Sequence, residues 1–165
     1  MKYTQEYESP LGRILLAADD AGLTGLWFME GERHVGLGLE RDARAADSPY
    51  FDQARRWLDI YFAGKDPGFT PALHFVGSDF RNRVGRLMLR IPFGQTTTYR
   101  ALAEAMAQDG RRPAFQAVGG AVGKNPICLI VPCHRVLGSD GSLTGYAGGL
   151  WRKKALLEME RGNGE

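Results

Sequence analysis

The segment Gly123-Lys124-Asn125-Pro126-Ile127-Cys128-Leu129-Ile130-Val131-Pro132-Cys133-His134-Arg135-Val136 contains both cysteines of the chain and one of its three histidines. A free thiol has a pKa of about 8.5 and is only a few per cent ionised at neutral pH; a nearby cation or base raises that fraction. Cys133 has both as sequence neighbours, His134 and Arg135. Cys128 is ringed by apolar residues and reads as an inert buried thiol. Ile127 to Val131 is an apolar run long enough for one buried strand, and Pro132 would stop it with Cys133 and His134 at its end. Adjacent residues on an extended chain point apart. His134 is therefore expected to reach the sulfur through a water rather than directly. A Cys-His dipeptide alone does not separate a catalytic pair from a structural one.

Downstream, Gly138-Ser139-Asp140-Gly141-Ser142-Leu143-Thr144-Gly145-Tyr146-Ala147-Gly148-Gly149-Leu150 carries five glycines. Such a loop can present backbone N–H groups to a flat ligand, or simply be a flexible surface loop. It has no phosphate-binding lysine and follows no nucleotide fingerprint. Trp151 to Glu160 returns to helical spacing, with Leu150, Lys154, Leu157 and Arg161 in the same pattern. Glu160, near its end, either points back toward His134 or is solvated.

These residues need elements to hold them. Phe80, Val84, Leu87, Met88 and Ile91 form one apolar helical face, ended by Pro92 and Gly94. Thr97 or Thr98 can cap a helix over Arg100 to Ala107. Asp109-Gly110-Arg111-Arg112 reads as a turn, and Pro113 as a first-turn residue of a helix from Ala114 to about Gly123. Two helices around a short glycine-containing turn have the outline of a helix-turn-helix. Gly119-Gly120 inside the second costs about 1 kcal/mol per site relative to alanine. Close approach of another backbone would explain them, from a packed neighbour or from a nucleic-acid groove.

The first half reads as strands. Tyr3 to Tyr7, Arg13 to Ala18 and Leu23 to Met29 are separated by turns at Ser9-Pro10-Leu11-Gly12 and Asp19-Asp20-Ala21-Gly22, as in an antiparallel meander. Residues 30–48 are polar and read as a surface connection. Tyr50 to Phe62 has helical spacing, with Gly64 as its C-terminal cap. Gly64 to Pro71 has the composition of a linker. The expected division is a lobe over 1–70, a connection over 71–78 and a second lobe over 79–165.

The chain has 165 residues, 44% hydrophobic and 24% charged, the composition of an ordinary globular protein. That excludes collagen, disordered tails and low-complexity polymers. No apolar run approaches the roughly 18 residues of a membrane span, and the start lacks a secretory core. Two cysteines make no disulfide framework, and His34, His74 and His134 form no zinc-spaced set with them. A soluble cytoplasmic monomer without metal or cofactor is expected. Residues 1–78 carry 8 basic and 12 acidic side chains, net −4, and residues 79–165 carry 13 and 7, net +6. A basic half on an acidic one suits a polyanion contacted at one end, although scattered solvated charge gives the same sums.

Taken together, the ordered motifs resemble the methylated-DNA–protein-cysteine methyltransferases, the O6-alkylguanine-DNA alkyltransferases. The resemblance rests on Pro132-Cys133-His134-Arg135-Val136, Asn125-Pro126 before it and Gly145-Tyr146-Ala147-Gly148-Gly149 after it. It extends to Ile91-Pro92-Phe93-Gly94-Gln95-Thr96 with Tyr99, Ala117-Val118-Gly119-Gly120-Ala121, and Leu156-Leu157-Glu158-Met159-Glu160. It implies an α+β chain: an N-terminal ribonuclease H-like small sheet with a helix, and a mainly helical C-terminal helix-turn-helix domain of winged-helix-like form.

The resemblance also implies roles. Cys133 is the alkyl acceptor, His134 its base through a water, Glu160 the carboxylate orienting that base, and Asn125 the brace of the turn. Tyr99 helps rotate the nucleotide and protonates the departing guanine. Val136, Tyr146, Ala147 and Gly148 contact the flipped base; Ala147 stands where some members have serine. Gln116, Ala117, Gly119 and Arg135 face double-stranded DNA in its minor groove. Gln116 stands where members usually have an intercalating arginine, so it loses the planar guanidinium that stacks on bases. Val122 and Leu150 are placed beside the pocket.

The implied reaction moves an alkyl group from O6 of guanine, with O4-alkylthymine as a further candidate substrate, to the cysteine sulfur. A thioether is a poor leaving group, so one turnover per molecule follows. Two other classes remain at this stage: a module that binds alkylated bases without repairing them, and a cysteine hydrolase using Cys133, His134 and Asn125.

Overall fold

The computed structural model describes residues 1–31, 38–107 and 112–162. The first lobe opens with β1 (Tyr3–Ser9), β2 (Gly12–Ala18) and β3 (Leu23–Phe28), paired antiparallel as a meander. The Ser9 hydroxyl closes the first turn, donating to Gly12 O at 2.6 Å and accepting from Leu11 N at 3.1 Å. Gly12 has φ +125°, a conformation suited to glycine. β4 (Arg44–Ala45) pairs parallel to β1, giving the order β3-β2-β1-β4. It lies in the stretch expected to be a plain surface connection. Two residues carry no alternation for a sequence reading to detect.

Helix α1 (Pro49–Phe62) begins where the Ser48 hydroxyl accepts from Tyr50 N at 3.2 Å, with Pro49 in the first turn. It buries Phe51, Ala54, Trp57, Leu58 and Tyr61, and Gly64 at φ +85° follows its end. The second lobe contains α2 (Asp79–Met88), β5 (Thr97–Thr98), α3 (Tyr99–Met106), α4 (Phe115–Gly123), a 3-10 turn over Cys133–Arg135, β6 (Val136–Leu137) and α5 (Leu150–Gly162). Thr98 caps α3, accepting from Ala101 N at 3.1 Å, and β5 pairs parallel with β6. Helices α2, α3 and α4 pack on one another.

Three expectations change. α2 stops at Met88, and Ile91 is buried from the turn that follows it. Ala114 is the N-cap of α4, so Pro113 precedes the helix instead of opening its first turn. Asp109, Gly110 and Arg111 of the expected turn, and His34, lie outside the described residues. The largest change concerns Ile127 to Val131, which is buried but is not a strand. Only Ile127 forms a bridge, to Leu26, and Leu129 turns the chain at φ +71°. The cause is Asn125, whose Oδ1 accepts from Ile127 N at 3.1 Å while its Nδ2 donates to Val131 O at 2.8 Å. An extended run of that length spans about 13 Å, far beyond what one side chain bridges.

The lobes meet along the outer edge of β3. Leu23 N donates to Ala72 O at 2.9 Å, and the Leu23 carbonyl accepts from His74 N at 2.8 Å. The 71–78 connection is thus partly tied down. Further along, Leu26 N donates to Pro126 O and Cys128 N to Leu26 O, both at 2.8 Å. The cysteine segment is therefore docked on the sheet of the first lobe, and this closes an edge that would otherwise be unpaired.

Candidate active site

Cys133 opens the 3-10 turn that follows Pro132, and its backbone N–H donates to Val131 O at 2.8 Å. Asn125 sets this geometry by folding the preceding run. Cys133 is buried, yet its thiol pKa is lowered from the ordinary value. The largest lowering influence is the neighbouring Cys128 thiol. Burial opposes it, and Asn125 and the charge of Lys153 add to the lowering. The Cys128 thiol, raised well above its ordinary value by its neighbour Cys133 and by burial, keeps its proton, and its Sγ donates to Asn125 O at 3.7 Å.

His134 is fully buried, and its Nε2 lies 2.6 Å from Glu160 Oε2. Burial lowers its pKa against the opposing pull of Glu160, and Arg135 and Lys153 lower it further. The imidazole is therefore neutral near pH 7, the form a base requires. Burial would raise Glu160, but the hydrogen bonds and charges of His134 and Arg135 outweigh it and hold the carboxyl at about 2. An ionised carboxylate only accepts, so the imidazole hydrogen sits on Nε2. Nδ1 is buried and has no hydrogen-bond partner among the described residues. A base lone pair is thus left on the nitrogen opposite the carboxylate.

Glu160 is saturated with donors. Oε1 accepts from Gly94 N at 3.0 Å and Arg135 Nε at 2.9 Å. Oε2 accepts from His134, from Tyr61 Oη at 2.6 Å and from Arg135 Nη2 at 3.1 Å. Arg135 also donates to Ile91 O at 2.7 Å and is buried. It is therefore a partner of Glu160 and is not presented to DNA, contrary to the expectation. A guanidinium fork meeting a carboxylate in a dry site explains its burial better than a phosphate contact does.

Lys153 was not among the expected residues. It is fully buried on α5, with Nζ donating to Val136 O and Thr144 O, both at 2.7 Å. Burial lowers its pKa to about 8, against the pull of Cys133. In the sequence it looks like one of a solvated Lys-Lys pair. Arg152 was missed for the same reason. Its Nη1 donates to Gly148 O at 2.7 Å and Glu30 O at 3.3 Å, and its Nε to Leu11 O at 2.7 Å. It fastens the glycine loop to the turns of the first lobe.

A cleft of about 290 Å³ is lined by Tyr99, Gly119, Gly120, Gly123, Lys124, Thr144 and Gly145. It lies between α4 and the glycine loop, and Tyr99 Oη donates across it to Thr144 O at 3.4 Å. A Cβ placed on Gly119 or Gly120 meets nothing within 4 Å. The small-residue face of α4 thus opens on space rather than on a packed neighbour. Gln116 and Ala117 are exposed on the same helix, as is Phe115, whose ring lies 5.8 Å from the Arg100 guanidinium carbon.

Val136, Tyr146, Ala147 and Gly148 are buried and do not line this cleft. A Cβ on Gly148 would lie 2.7 Å from Tyr146 Cε2 and 3.0 Å from Phe28 Cδ2, so the loop is packed tightly on β3. Val122 is in the core and Leu150 is exposed, so neither forms a cleft wall.

The chain is similar to known proteins over nearly its whole length. Residues 1–75 match the ribonuclease-like domain of 6-O-methylguanine DNA methyltransferase, and residues 79–162 its DNA binding domain. The methylated-DNA–protein-cysteine methyltransferase of Methanosarcina barkeri is 41% identical over 161 residues, covering 98% of both chains. The protein of that name from Mycobacterium tuberculosis is 40% identical, over 98% of this chain and 93% of its own. The crystal structure of the M. tuberculosis O6-methylguanine methyltransferase superposes with a TM-score of 0.82 at 40% identity, covering 98% of this chain and 94% of that one. The structure of M. tuberculosis OGT in complex with DNA gives 0.81 at 40% identity, covering 97% and 93%. Two domain matches in order and full-length relatives at this identity establish that the chain belongs to the methylated-DNA–protein-cysteine methyltransferases, a family of DNA-repair enzymes.

Proposed function

We propose that Cys133 accepts the alkyl group of O6-alkylguanine in double-stranded DNA, in a single irreversible turnover. The observation that carries this reading is the buried arrangement: Cys133 opens the 3-10 turn directly before His134, whose Nε2 lies 2.6 Å from Glu160 Oε2. His134 Nδ1 takes the thiol proton through a water, and the imidazolium formed is stabilised by the carboxylate. The thiolate attacks the alkyl carbon in line. The S–C bond forms as the C–O6 bond breaks, and the electron pair leaves with guanine. Tyr99, at the mouth of the cleft, supplies the proton to the departing base. No group in the site reverses the thioether.

The open glycine face of α4 supports docking of this helix, as the second of a helix-turn-helix pair, in the minor groove. Glycines there allow the closest approach of helix backbone to the duplex. Base extrusion costs a few kcal/mol, and Gln116 is the residue placed to fill the gap. The target base enters between α4 and the glycine loop. Because Cys133 is not itself a cleft residue, the Tyr99–Thr144 contact must yield to admit the base. O4-alkylthymine presents a similar alkyl–oxygen bond and is a second candidate. A module that only detects damage would have no use for the activated thiol.

The test is stoichiometry. With excess duplex containing O6-methylguanine, loss of the lesion should saturate at one per chain. Continued turnover, or no loss at all, contradicts the proposal.

A further inference from the structure

The relay has a fourth member, and it comes from the other lobe. Tyr61 sits in the last turn of α1, fully buried. Its Oη donates to Glu160 Oε2 at 2.6 Å and lies 3.3 Å from His134 Nε2. The ring has no freedom to leave. It stacks on Trp57 at 5.0 Å between centroids, and meets Phe62 and Phe93 edge-on at 5.4 and 6.0 Å. A packing residue needs the ring and not the hydroxyl. A hydroxyl buried here costs desolvation unless it is bonded, and its bond goes to the oxygen that holds the imidazole.

We propose that Tyr61 is a positioning residue for alkyl transfer, its hydroxyl fixing Glu160 Oε2 so that the His134 hydrogen stays on Nε2 and Nδ1 remains the basic nitrogen. The inference rests on the alkyl-transfer reading above. It makes the first lobe part of the active site, beyond its role as a support for the cysteine segment.

The hydroxyl also tunes the base. Its hydrogen withdraws charge from Oε2, so removing it leaves the carboxylate freer to stabilise the imidazolium and makes His134 more basic. A stronger donor acts in the opposite sense. The other groups facing this pair stay in place: Arg135 and Cys133 from the 3-10 turn, Lys153 from α5, and the Gly94 N–H.

The experiment is the pH–rate profile of single-turnover methyl transfer from an O6-methylguanine duplex, using the full chain. The parent is compared with Tyr61→Phe and with 3-fluorotyrosine incorporated at position 61. Tyr61→Phe should slow transfer near neutrality by about three- to tenfold, because Glu160 Oε2 is no longer held in place by that hydrogen bond and more of the now more basic His134 is already protonated. The acid limb should move to higher pH. The 3-fluoro ring, of nearly equal size and a stronger donor, should move the limb to lower pH. Duplex affinity should be unchanged in both.

Acid limbs that superimpose for parent and variants would overturn the proposal, even if Tyr61→Phe is slower, because that result describes packing alone. If Tyr61→Phe does not fold, the fluorotyrosine protein decides by itself. A parent that takes up no methyl overturns the alkyl-transfer reading and this inference with it. A parent that transfers normally, with unmoved profiles, overturns only the role of Tyr61.

Discussion

Replacing Glu160 with glutamine keeps the shape of the side chain and removes its charge. In the parent the carboxylate accepts five hydrogen bonds, from Gly94, Tyr61, His134 and two from Arg135. An amide offers one accepting oxygen and an NH2 that must face some of those donors. Two consequences can be sized. Losing a charge-assisted bond to the developing imidazolium is worth about 1.5–3 kcal/mol, which slows transfer by about 10- to 150-fold. Leaving Arg135 buried without its counter-charge costs about 3–5 kcal/mol of stability at neutral pH.

The acid dependence of stability should change as well. The Glu160 pKa is depressed from 4.5 to about 2, equivalent to about 3 kcal/mol of stability. A depressed carboxyl contributes fully above its unfolded pKa, and the contribution is lost as pH falls from about 4.5 toward 2. Glu160→Gln should lack that part of the acid-side loss. Duplex affinity should stay within about twofold, since Glu160 is buried away from the cleft. Quenched single-turnover transfer and acid titration of unfolding measure both effects. Transfer within twofold of the parent, in folded protein, would show that Glu160 does not support the base.

Three further outcomes are expected. Gln116→Arg should speed transfer on duplex DNA by about tenfold, within the roughly 1–3 kcal/mol of a base-stacking contact, and leave transfer from free O6-alkylguanine unchanged; unchanged duplex rates or equal gains on both would reject its place in the gap. Gly120→Ala should raise the melting temperature, since alanine favours the helix by about 1 kcal/mol and its Cβ meets open space, while duplex affinity falls. Raised stability with unchanged affinity would show that this face does not meet DNA. Cys128→Ala removes the thiol that lowers the Cys133 pKa, so the rate of Cys133 alkylation by a small electrophile should fall near neutrality and recover at higher pH; an unmoved profile would show that Cys128 is only a filler.

Much of the site was legible because its members are local. Asn125, Cys133 and His134 lie within ten positions of one another, and the Ser9–Gly12 turn and the Thr98 cap each follow from a few adjacent residues. What could not be read was set by long-range contact. Tyr61 and Glu160 are 99 positions apart and meet only because α1 packs against the second lobe. Lys153 and Arg152 look like solvated helix charges until α5 turns them inward. The resemblance alone puts Arg135 on the DNA side; its carboxylate partner is 25 positions away. The run Ile127 to Val131 has the composition of a strand, and a single asparagine at its start coils it. Whether Gly119 and Gly120 face a packed neighbour or a groove is decided by elements outside their own helix, and open space lies beside them.

The central claim is that Cys133, and not its buried neighbour Cys128, takes the alkyl group. The most direct measurement is peptide mass mapping after reaction with a duplex containing O6-methylguanine. The proposal predicts one methyl increment on the peptide carrying Cys133, localised by fragmentation to that residue and absent after Cys133→Ala, with duplex binding retained. A methyl on Cys128, or lesion loss with both thiols unmodified, would contradict it.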